Sequence, residues 1–167
     1  MIKNCEQNEI PASDIELLRM ACTPNGSPVL MTCNDDYGAA VFKNDVLLKS
    51  CEGESVPMGG DVIEKVPAIR LEELIKEEVD FLDIDIQGAE LGVIASCIDV
   101  LDRFVKMAHV GTHSPTIDAK LSDMFSLHRW QPRFIFPCGQ VNETPYGTFQ
   151  FIDGIQSWEN PRFNWMP

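Results

Sequence analysis

Val79-Asp-Phe-Leu-Asp-Ile-Asp-Ile-Gln-Gly-Ala-Glu90 reads as a buried strand that ends in carboxylates and turns directly into a helix. Phe81, Leu82, Ile84 and Ile86 supply the near-continuous apolar character of a strand covered on both faces. Asp83 and Asp85 interrupt it. Strand residues two apart share a face at a separation of about 7 Å, so the two carboxylates project together near the strand's carboxyl end. Open α/β sheets bind ligands in the crevice at that end. Gly88 then permits the tight turn into the next helix.

Working outward, the pattern stays regular from residue 67 onward. An amphipathic helix is expected over 71–78, with Leu71, Leu74 and Ile75 on one face. The strand at 79–86 follows, and then a helix over 88–102 that repeats Leu91, Ile94, Ile98 and Leu101, with Val93 and Cys97 widening the stripe. Residues 104–110 form a second strand, closed by Gly111-Thr-His-Ser114. Ser114 as N-cap and Pro115 at the first helical position open another helix. Its inner face is Ile117, Leu121, Met124, Phe125 and Leu127, and it ends near Trp130. Short strands at 134–136 and 148–152 close the chain, the latter leading into 153–158. Strand, helix, strand, helix and two closing strands describe half or more of a doubly wound α/β sheet. Right-handed crossover sets the carboxyl ends of strands 79–86 and 104–110 side by side, gathering Asp83, Asp85, Gln87, Thr112 and His113 around one crevice.

The N-terminal part is less regular. Residues 1–9 look like the polar tail of a helix whose beginning is absent, ended by Ile10-Pro11. Residues 15–22 suit a strand, Pro24-Asn25-Gly26 a turn, and 29–32 with 39–42 a short antiparallel excursion. The stretch 44–66 holds Gly53, Pro57, Gly59 and Gly60 and is expected to be an irregular, mobile insertion near the site.

Composition bounds the function. At 167 residues and 44% hydrophobic content, one domain with one core is expected. No apolar run is long enough to span a bilayer, and the first eight residues lack the apolar stretch of a signal peptide, so a soluble, cytoplasmic protein is expected. A net charge of −13 repels phosphate backbones and weighs against nucleic acid as a partner. The six cysteines are scattered, without a CxxC pair or zinc-like spacing, and read as reduced, mostly buried thiols. In a strand, His109 and His113 lie roughly 13 Å apart, too far to share one ion, and no metal site is assigned.

The motif at 80–90 resembles the Asp-Phe-Leu-Lys-Ile-Asp-x-Glu-Gly-Ala-Glu signature of the FkbM family of S-adenosylmethionine-dependent methyltransferases. Val110-Gly-Thr-His-Ser114 is similar to that family's strand-end histidine segment, and Asp153-Gly-Ile-Gln-Ser-Trp-Glu-Asn-Pro-Arg162 resembles the closing segment of one branch. Residues 10–21 look like the helix exit and third strand of the same domain. The resemblance implies an incomplete Rossmann-like class I methyltransferase sheet, mostly parallel with an antiparallel closing strand and helices on both faces. Two departures stand out. Asp83 and Gln87 occupy positions where much of the family has lysine and glutamate. The opening strand, glycine-rich turn, helix and acidic-ended second strand that grip the cofactor in such enzymes are not found in this sequence, and Met58-Gly-Gly-Asp61 reads as a loop. In the usual strand order the missing first strand lies beside strand 79–86. A bare apolar edge recruits a partner. Coverage is expected from a second copy, from a separate chain, or from strand 15–22 shifted inward.

Methyl transfer to a hydroxyl requires the acceptor to be oriented and a proton removed. The candidate base is His113, with Asp85 as its orienter or as an acceptor-binding group; otherwise His113 merely caps the helix at Ser114. An unpaired carboxylate in an apolar strand is costly, which favours a role for Asp85. Asp83, Gln87, Glu90, Thr112 and Tyr37 are candidates for substrate binding, although Glu90 is equally explained by the helix dipole. Tyr146 and the three tryptophans read as packing residues before substrate platforms; Asp153, directly after a strand, either reaches the crevice or serves only as a turn-former before Gly154. The leading expectation is an S-adenosylmethionine-dependent O-methyltransferase acting on a hydroxyl of a sugar, polyketide or other small metabolite. Two alternatives stand beside it: a noncatalytic methyltransferase-like binding module, and a metal-dependent sugar transferase holding a divalent ion on Asp83-Ile-Asp85.

Overall fold

The computed structural model describes residues 7–33, 40–41, 56–58 and 61–163. Its first part is built from short strands: β1 (Ala21–Cys22), β2 (Val29–Cys33), β3 (Ala40–Val41), β4 (Val56–Met58), β5 (Asp61–Val66) and β6 (Ala68–Ile69). β2 pairs antiparallel with β3, as the excursion at 29–42 requires. The stretch 44–66 is not wholly irregular, because β5 pairs antiparallel with both β2 and β4. The β-branched Val62, Ile63 and Val66 supply the strand propensity there, while Gly53, Gly59 and Gly60 lie outside the described residues. The expected strand at 15–22 shrinks to β1, preceded by a 3-10 turn at Ala12–Asp14. β1 pairs parallel with β6, so it does not move inward beside residues 79–86.

The second part holds α1 (Leu71–Leu74), β7 (Val79–Ile84), α2 (Glu90–Phe104), β8 (Val105–Thr112), α3 (Pro115–Leu127), β9 (Gln131–Phe136), β10 (Val141–Thr144), β11 (Gly147–Gln150) and β12 (Gly154–Glu159). One four-stranded sheet runs in the order β7-β8-β12-β9. β7 and β8 are parallel with α2 as their crossover, which sets their carboxyl ends side by side. β12 is antiparallel to both β8 and β9. The fold is therefore mixed α/β, with one parallel pair in this sheet where a mostly parallel sheet was expected. The closing strand also differs: 148–152 does not join the sheet, because β11 turns back on β10 as a separate hairpin, and β12 takes the place between β8 and β9.

Strand parity sorts the side chains. Ile84, Ala108, Val110, Gln156 and Trp158 are buried on one face, in a core with Val93, Ile94, Cys97 and Leu101 of α2 and Leu121 and Phe125 of α3. Ser114 Oγ accepts the Ile117 amide and Pro115 follows, so α3 begins where the sequence marks it. Two inner-face assignments fail: Leu74 and Leu127 are exposed, because α1 ends after one turn and Leu127, two residues after the buried Phe125, lies about 200° around α3 from it. Both long helices pack on the same face. On the other face Phe81 and Phe134 remain exposed, flanking His109 at ring centroid distances of 6.1 and 5.8 Å. Helices on both faces of this sheet are thus not found among the described residues.

Candidate active site

At the carboxyl ends of β7 and β8 three titratable side chains meet. His113 Nε2 lies 3.3 Å from Asp85 Oδ1, and its Nδ1 lies 2.8 Å from Glu90 Oε1. The burial is graded, with Asp85 66% exposed, His113 16% and Glu90 0%. Local sequence explains each placement. β7 ends at Ile84, so Asp85 emerges into the turn, where it packs against Gly111 of β8. β8 ends at Thr112 and Ser114 begins α3, which leaves His113 in the gap between strand and helix. Glu90 opens α2 and folds back, its Oε1 accepting the amides of Gly88 at 2.9 Å and Ile86 at 3.2 Å. Between those amides Gln87 adopts a left-handed conformation, φ +55°. A non-glycine residue held there is strained and needs bracing.

The contact between Glu90 and His113 has ion-pair distance without hydrogen-bond geometry: Nδ1 makes no hydrogen bond, and neither does Glu90 Oε2, although both atoms are buried. The two groups therefore face each other at close range through charge and dipole and not through a hydrogen bond. Asp85 and Glu90 address opposite nitrogens of the ring. The arrangement therefore orients an imidazole better than it gathers three ligands on one ion.

A cavity of about 430 Å³ adjoins this cluster, lined by Asp85, Gly111 and His113 on one side and by Gln150 through Ile155 on the other. Its size suits a small molecule. Buried polar contacts fix the second wall. Asp118 accepts the Thr112 hydroxyl at 3.2 Å, the Gln156 side-chain amide at 2.5 Å and the Cys138 backbone amide at 3.3 Å. These bonds anchor the starts of α3 and β12 and the loop after β9 to the end of β8.

The structure brings Asp85, His113 and Glu90 together, and Gln87 reaches toward Asp85 with its amide 3.5 Å from Oδ1. The other candidates stand apart. Asp83 pairs in register with His109 on the open face of the sheet. Thr112 is fully buried on the helix-covered face, where its hydroxyl serves Asp118. Glu90 has no exposed surface to offer a substrate. Tyr37 lies outside the described residues. Among the described residues the clusters of three or more donors that could hold a metal are Asp85–Glu90–His113 and Asp99–Asp102–His128, and neither contains Asp83. In the second cluster Asp102 already accepts from His128, Trp130 and Arg162. Asp153, which directly follows a strand in the sequence reading, does line the cavity, whereas Phe151 and Ile152 read there only as strand residues.

No helix among the described residues is long and apolar enough to cross a membrane. No curated protein and no solved structure matches the chain. A family model described as the methyltransferase FkbM domain matches residues 7–146, a span that includes β7, the histidine at the end of β8 and all of α3. With that match over most of its length, the chain belongs to the FkbM methyltransferase family.

Proposed function

We propose that this chain is the acceptor side of an S-adenosylmethionine-dependent O-methyltransferase that acts on a hydroxyl of a sugar, polyketide or other small metabolite. The observation that carries the reading is His113, clamped between a buried and an exposed carboxylate beside a cavity of suitable size. Its Nε2 is the proton acceptor for the substrate hydroxyl, and Asp85 holds either that hydroxyl or the ring. The wall at 150–155 lies beyond the residues matched by the family model, which makes it the part of the site that sets which acceptor enters.

S-adenosylmethionine supplies the methyl group when bound. The exposed carboxylate of Asp85 suits the cationic end of such a cofactor, whereas no glycine-rich strand-to-helix turn that would seat its adenosine end is found among the described residues. We propose that a second copy or another chain completes that half of the site and covers the outer edge of β7. Calorimetric titration with S-adenosylmethionine tests the reading: binding by the purified chain or by its native assembly is expected, and absence of binding in both rejects it. The missing turn favours one competing reading, a binding module without chemistry, which that second result would support. For the base, His113→Ala should lower turnover by about 10²-fold or more, and an unchanged rate removes His113 from the reaction.

A further inference from the structure

We infer that Glu90 is the positioning residue of this site: it sets the His113 ring so that the proton rests on Nδ1 and Nε2 is left free toward Asp85 and the cavity. The inference rests on the reading of His113 as the base.

A fully buried carboxylate is costly unless its oxygens have partners. Glu90 Oε1 takes the amides of Ile86 and Gly88 and meets His113 Nδ1 at 2.8 Å, so one oxygen joins the β7–α2 turn to the imidazole ring. The neutral ring carries one proton, and the buried carboxylate charge 2.8 Å from Nδ1, acting without a hydrogen bond, favours the proton on that nitrogen. Rotating Nδ1 away would leave Glu90 without the ring it faces. Asp85 cannot compete on equal terms, because it is 66% exposed and its field is screened by water. The charged groups around the ring are Glu90 from α2, Asp85 from the turn after β7, and Asp153 from the cavity wall before β12. Of these Glu90 alone is fully removed from solvent. The same oxygen braces the turn that keeps Gln87 in its left-handed conformation, so ring orientation and turn geometry are set together.

The test reads the tautomer directly from two-bond ¹H–¹⁵N imidazole spectra of the ¹⁵N-labelled chain at alkaline pH, where an imidazole is neutral. The wild type should show His113 in the Nδ1–H form. Glu90→Gln keeps an acceptor oxygen for the two turn amides while removing the charge, and should lose the pure Nδ1–H signature to a mixture of both tautomers. Asp85→Asn leaves the turn untouched and should retain the Nδ1–H form. A wild-type ring in the Nε2–H form, an unchanged signature in Glu90→Gln with a native backbone spectrum, or loss of the signature in Asp85→Asn overturns the inference. The last variant keeps the test decisive even where Glu90→Gln does not fold. No cofactor enters the measurement, so a failed S-adenosylmethionine titration sinks the methyl-transfer reading on separate grounds.

Discussion

Burial pushes the Cys97 thiol up to about 12, with Cys22 and Glu72 adding to the shift, whereas the unfolded thiol titrates near 9.0. Above that lower value the unfolded chain releases a proton that the folded chain keeps, so stability falls as pH rises, by at most about 1.4 kcal/mol per pH unit. The thermal midpoint should therefore drop between about pH 8 and about pH 10, and less steeply in Cys97→Ala; parallel slopes in the two proteins would refute the assignment. Gly154 makes a second prediction at this scale. A β-carbon there would overlap the Thr112 hydroxyl and lie 2.8 Å from the Cys138 amide nitrogen, so Gly154→Ala should cost about 1–3 kcal/mol in urea unfolding. The residues of the site were unevenly legible in the sequence. Asp85 and His113 could be paired because a carboxylate in an apolar strand and a strand-end histidine converge once the crossover hand is known. Glu90 could not be assigned, since its use depends on facing a ring that lies on the next strand–helix junction. Thr112 stands apart from the cluster because, as the last residue of β8, it shares the helix-covered face with Ala108 and Val110, whereas His113 has already left the strand.

Elements with apolar periodicity were readable, and those held by polar contacts were not. α2 and β8 lie within two residues of the boundaries expected from stripe and strand pattern, and α3 begins at Pro115 as its cap and proline mark, ending three residues before Trp130. β12 went unrecognised because Gly-Ile-Gln-Ser-Trp-Glu lacks alternation. Its Gln156 and Ser157 are buried all the same, with Gln156 satisfied by Asp118 and by the Trp158 indole, whose Nε1 donates at 2.9 Å. Such pairing becomes visible only in three dimensions. The C-terminus of α2 follows the same rule. Asn160 Nδ2 donates to the carbonyls of Asp102 and Val105, each at 2.9 Å, and closes a helix end that has no glycine cap. Asn160→Ala leaves those buried acceptors without a donor and should destabilise the chain by about 1–3 kcal/mol in urea unfolding. A change within a few tenths of a kcal/mol would mean that water replaces the side chain.

In the molecule taken whole, the β7-β8-β12-β9 sheet buries one face under α2 and α3 while Phe81 and Phe134 of the opposite face stay exposed. β7 is also an edge of that sheet among the described residues. An open edge beside exposed aromatic rings is the arrangement that recruits a partner, which is the physical basis for proposing that another chain or copy completes the site. Charge separates the two kinds of partner. Glu78 and Asp80 share Lys106, at 3.4 and 2.7 Å, but the chain carries a net charge of −13, so two copies repel over long range and a basic partner is attracted. Added salt screens both effects. Self-association measured by sedimentation should therefore strengthen as salt is raised, whereas binding of a basic partner should weaken. In either assembly the outward amides of β7 should exchange with solvent more slowly than in the dilute chain. If those amides exchange at loop rates in the native assembly, the edge is uncovered and the cofactor half of the site must be sought elsewhere.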